Sequence, residues 1–98
     1  MRYEAEAEVW LYTGAKTAWH FVSLPPEFSE GIRGLRGPRA AGWGSLPVTA
    51  TIGDTTWRTS IFPDTGNGAF ILPLKAEVRA RENIGAGDRV AVAVEIEL

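Results

Sequence analysis

Two stretches of strict alternation constrain this chain more than any other feature. Tyr3, Ala5, Ala7, Val9 and Leu11 alternate with Glu4, Glu6, Glu8, Trp10 and Tyr12. Val90, Val92, Val94 and Ile96 alternate with Arg89, Ala91, Ala93, Glu95 and Glu97. A period of two belongs to a strand with one buried face, whereas a helix would spread these apolar side chains around its circumference. The alanines beside the valines of the second stretch predict partial cover on both faces.

The segments between them are short and sharply punctuated. After a turn at Thr13-Gly14-Ala15-Lys16, the aromatic and β-branched run from Ala18 to Leu24 predicts a strand antiparallel to the first. Pro25-Pro26 ends it, and Pro26 suits the first turn of a short helix through Glu27, Phe28, Glu30 and Ile32. Gly31 to Gly44 holds five glycines and one proline among fourteen residues and predicts a loop. Leu46–Ile52 and Thr55–Phe62 read as a hairpin about Gly53-Asp54, with Trp57, Thr59 and Ile61 on one face and Arg58, Ser60 and Phe62 on the other. A turn over 63–68 leads to a strand from Ala69 to Leu72. Pro73 then opens a helix over Leu74–Asn83, closed by Gly85 or Gly87, with Leu74 and Val78 one turn apart on its inner face. Six or seven short strands with two short helices in 98 residues predict a mainly β protein, a small closed barrel that leaves no free sheet edge. The length suits a single β-barrel domain over residues 1–98.

Composition removes several function classes. No cysteine is present, so there is no disulfide, zinc ribbon or thiol nucleophile. One histidine, His20, is too few for a His-rich metal site, and a Ser-His-Asp triad would have to include it. No phosphate loop precedes a helix, and the acids lie on outward positions of the terminal strands, not as a facing pair. Neither a cofactor nor a metal is expected. Apolar runs are too short for a membrane span or a signal-peptide core, which points to the cytoplasm. Net charge is −2, but from Arg33 to Arg81 seven bases (Arg33, Arg36, Arg39, Arg58, Lys75, Arg79, Arg81) face three acids (Asp54, Asp64, Glu77).

Three segments carry a family resemblance: Trp19-His20-Phe21-Val22-Ser23-Leu24-Pro25, Trp57-Arg58-Thr59-Ser60-Ile61-Phe62-Pro63, and Leu72-Pro73-Leu74-Lys75-Ala76-Glu77-Val78-Arg79 followed by Gly87-Asp88-Arg89-Val90. In this order they resemble the Domain of Unknown Function 1905 family. The resemblance implies a bacterial or archaeal cytoplasmic protein with a double-split β-barrel and a biochemically uncharacterised function. Within it, Leu72 to Arg79 with Ile84 to Val90 is similar to the AbrB/MazE-like swapped-hairpin proteins, which are dimeric DNA binders. This chain is roughly twice the length of that module, enough to close a barrel without a swapped partner.

Candidate site residues follow from the predicted elements. Arg58 and Ser60 protrude from one strand face, and a helix packed across it would set Lys75 and Arg79, one turn apart, beside them. Three cations and a hydroxyl suit a carboxylate, phosphate or sulfate. The structural alternative pairs Arg79 with Glu95 or Asp88, and Arg58 with an acid such as Glu8. Trp43, flanked by glycines, either plugs a barrel end or covers a ligand, while Trp10, Trp19 and Trp57 are expected in the core or in cross-strand pairs. The leading expectation is a non-enzymatic module that binds a small anionic or peptide-like ligand through Arg58, Ser60, Lys75 and Arg79, shielded by Trp43. The alternatives are a nucleic-acid-binding regulator using the basic middle, and a small enzyme with His20 as general base beside Ser23 or Ser60. A monomer is favoured, with an exposed Trp10-Tyr12 pair as the alternative dimer contact.

Overall fold

A computed structural model describes residues 2–14, 16–36, 45–64 and 69–96, and the side chains of all these except 32–36. The strands are β1 (Arg2–Thr13), β2 (Ala18–Ser23), β3 (Leu46–Ile52), β4 (Thr55–Pro63), β5 (Phe70–Pro73) and β6 (Arg89–Ile96). The helices are α1 (Pro26–Arg36) and α2 (Ala76–Glu82). All six strands are antiparallel and close a barrel in the order β1-β2-β5-β4-β3-β6.

The barrel is split in two places, and the register shows how. Long β1 pairs with β6 from Arg2 to Glu8, then leaves it and pairs with β2 from Val9 to Thr13. The change is stitched at Val9, whose N–H donates to the Asp88 carbonyl (2.8 Å) and whose carbonyl accepts from Gly87 N–H (2.7 Å). Likewise β4 pairs with β3 from Thr55 to Ile61 and meets β5 only at Phe62 and Pro63. Each split is associated with one helix. The Phe28 ring of α1 meets Tyr3 of β1 edge-on at 4.5 Å. α2 lies against β4, where Thr55 Oγ1 donates to Glu82 Oε2 at 2.6 Å.

Inward positions fill the interior. Val9, Val22, Leu24, Phe28, Val48, Ala50, Ile61, Leu72, Val92 and Val94 are buried in one cluster. Trp57 packs against it opposite Ala50, a large side chain answered by a small one across the ladder. Gly53 takes φ +58 at the first central position of the β3–β4 turn, the sign a type II′ hairpin needs there.

Three expectations need correction. The helix opened by Pro26 continues to Arg36, so Gly31 to Arg36 is helical; residues 37–44 lie outside the described residues. Burial of Phe28 and Ser29 anchors α1 strongly enough to carry its poor helix formers Gly31 and Gly34. Pro73 belongs to β5, opposite Phe21, and α2 starts only at Ala76. The helix ends on Asn83 in the left-handed region (φ 55), not on a glycine; asparagine is among the few residues that enter that region readily. Leu74 and Val78 are both buried as expected.

Candidate functional site

The second split leaves a cleft, and strand length is its cause. β5 has four residues while its neighbours β2 and β4 have six and nine. β5 pairs with β2 over Phe21–Ser23 and with β4 over Phe62–Pro63, so Ala18–His20 and Thr59–Ser60 have no strand of β5 between them. The chain instead turns away after Pro73, held by the Leu74 N–H donating to the His20 carbonyl at 2.8 Å, and enters α2. The open cleft so formed has a volume of about 540 Å³.

Its walls are cationic and hydroxylic. Lys75 is the N-cap residue of α2 and Arg79 lies one turn further on, Thr59 and Ser60 come from β4, and Thr17, Trp19 and His20 from the approach to β2 and its first residues. No carboxylate occurs among the described residues that line it. Neither Lys75 nor Arg79 has a carboxylate partner among the described residues. The Nε of Arg79 donates to the Leu74 carbonyl at 3.2 Å, which fixes the guanidinium plane and leaves its two terminal nitrogens for another acceptor. Asp88 instead accepts from the Gly85 N–H at 2.8 Å.

His20 shares this positive environment. Burial, and secondly the charge of Arg79, lower its pKa below the ordinary 6.5. Its Nδ1 is buried with no hydrogen-bond partner among the described residues. In the unfolded chain His20 regains its ordinary affinity, so the unfolded state takes up the proton first as pH falls. The neutral imidazole therefore contributes stability in full above about pH 6.5, lost progressively on acidification through the window beneath it. His20→Gln should flatten this loss. Urea midpoints between about pH 7 and 5 are expected to fall more steeply for the native chain than for the variant, and parallel slopes would show that His20 is not the group responsible.

The sequence-predicted residues separate. Ser60, Lys75 and Arg79 come together as expected, but Arg58 is not among the residues lining the cleft. Two residues back on β4, and so roughly 6–7 Å further along the strand, it stands opposite Thr49 in an outer row of Arg58, Thr49, Glu95 and Arg2. Its register neighbour is thus Thr49, not Glu8, whose partner across the ladder is Arg89. Trp43 lies outside the described residues, as do the side chains of Arg33, Arg36 and Arg39, while Arg81 pairs with Glu77 at 3.0 Å. Trp10 forms the expected cross-strand pair with Phe21, ring centroids 5.0 Å apart. Trp19 is not core: it is half exposed, opposite Tyr12 on the outer face. Thr17, Thr59 and Trp19 join the site without a sequence signal, because the cleft opens both faces of a strand edge where alternation separates them.

The chain belongs to the family described as a domain of unknown function (DUF1905), whose sequence model matches residues 6–94. A search of curated proteins finds no match. Among the described residues, no helix is long and apolar enough to cross a membrane.

Proposed function

We propose that this DUF1905 chain is a non-enzymatic binding module whose cleft receives the anionic group of a small molecule. Lys75 and the terminal nitrogens of Arg79 supply the charge-assisted hydrogen bonds, and Ser60, Thr59 and Thr17 supply hydroxyls. The observation that carries this reading is a pair of cations with no carboxylate partner among the described residues, in a cleft of about 540 Å³, within the usual volume range of ligand sites. Trp19 takes the part of aromatic wall. Binding is favoured over catalysis because, among the described lining residues, no acid is placed to orient His20 as a base.

Charge-assisted hydrogen bonds contribute about 1.5–3 kcal/mol each. Lys75→Gln or Arg79→Gln should therefore weaken binding of inorganic phosphate or sulfate by about ten- to a hundredfold. Arg58→Gln should change it less than about twofold, because exposed charges in a cross-strand row act weakly at this range. Anion-dependent thermal stabilisation of the native chain and the three variants measures all of this. Equal stabilisation of all four would remove Lys75 and Arg79 from the site.

A further inference from the structure

The cleft is not an isolated hole. On the outer face of β1, β2, β5 and β4 runs an apolar groove of about 440 Å³, lined by Trp10, Tyr12, Phe21, Pro63 and Ile71 with Asp64 at one side. Trp19, Phe62 and Pro73 line both the groove and the cleft, so the two form one continuous surface with an indole and a phenyl ring at the junction. Tyr12, Trp19 and Phe62 are 54%, 50% and 42% exposed, and contiguous exposed apolar surface of this kind marks a contact site.

Two features of that surface define what fits it. The walls are rings: Trp19 and Phe21 lie within 10° of parallel with centroids 6.2 Å apart, and Trp10 tilts against Phe21 at 5.0 Å. Such faces favour a flat partner, since stacking adds to simple area burial. The charge is concentrated at one end, where Lys75 and Arg79 are the only cations among the described lining residues of groove and cleft. Two cations match one anionic group. A polyanion would extend beyond them toward a chain of net charge −2 whose β1 carries Glu4, Glu6 and Glu8.

We infer that the ligand is a small aromatic acid or phosphate ester, its anionic group in the cleft against Lys75 and Arg79 and its ring against Trp19 and Phe62 at the mouth of the groove. This rests on the anion-binding reading above and adds the chemistry of the ligand's body. The ring end gives selectivity among anions, which the cations alone do not.

The test compares matched probes by tryptophan fluorescence and calorimetry: phenyl phosphate against inorganic phosphate, benzoate against acetate, and phenol as the ring without charge. At least one aromatic anion is expected to bind about tenfold or more tighter than its ringless counterpart and than phenol. Trp19→Ala and Phe62→Ala, both at exposed positions, should bring that ratio toward one. If ringless and aromatic anions bind equally, the inference falls while the anion site stands. Phenol binding as well as the aromatic anions would show that groove and cleft are not one site, and would also overturn it. Binding by none of the four anions would overturn the anion reading, and the inference with it. Two further outcomes would overturn the small-ligand inference: an oligothymidylate displacing the aromatic anion at lower concentration, or self-association that blocks it. They would give the surface to a nucleic acid or to a second copy, respectively.

Discussion

Phe28→Ala is expected to destabilise the fold by about 3–5 kcal/mol, the range for truncating a buried phenylalanine. Its ring is 2% exposed and meets Tyr3 edge-on where β1 pairs only with β6. A pocket of about 110 Å³ lined by Tyr3, Leu24, Pro25, Val92 and Val94 already adjoins it. Removing the ring leaves its volume unfilled beside this open pocket, the loss of packing that sets the cost. Against a typical total stability of about 5–15 kcal/mol, the variant would be marginal. Chemical denaturation followed by tryptophan fluorescence measures it, with Phe28→Leu as the milder companion. A loss under about 1 kcal/mol would mean that α1 does not help to close the barrel.

The far end of α2 is tied to the β3–β4 hairpin by a different device, and Gly53→Ala should cost about 2.5–5 kcal/mol there. Gly53 has φ +58, where an L residue loses roughly 1–2 kcal/mol. A Cβ at Gly53 would also overlap the Glu82 carboxylate. That carboxylate has no free swing, because its other oxygen accepts from Thr55 Oγ1 at 2.6 Å. Moving it sacrifices a charge-assisted hydrogen bond worth about 1.5–3 kcal/mol. In a Glu82→Ala background only the backbone term remains, so the same substitution should then cost about 1–2 kcal/mol. The double-mutant cycle measures the difference, and strict additivity would deny the latch.

Much of this fold is legible locally. The alternations of β1 and β6 survive into the register, where Ala5 faces Val92 and Ala7 faces Val90. The Gly53-Asp54 hairpin falls where turn chemistry puts it. What is not legible depends on distant partners. The extension of α1 through Gly31 runs against propensity and follows burial of Phe28 and Ser29. Pro73 enters a strand because β2 offers it a partner at Phe21. The cleft exists because β5 is shorter than β2 and β4, a mismatch visible only once non-consecutive strands are paired. Lys75 and Arg79 were accessible to sequence reasoning as neighbours one helical turn apart. The separation of Arg58 from them was not, since it depends on how far along β4 the cleft beside short β5 reaches.

The most direct test of the central claim is a titration of the isotopically labelled chain with inorganic phosphate, followed by amide and side-chain N–H resonances. Signals of His20, Ser60, Lys75 and Arg79 and the indole N–H of Trp19 are expected to move together and saturate with one dissociation constant. Movement confined to the outer row of Arg2, Thr49 and Arg58, or no saturable movement in any of the five, would contradict it.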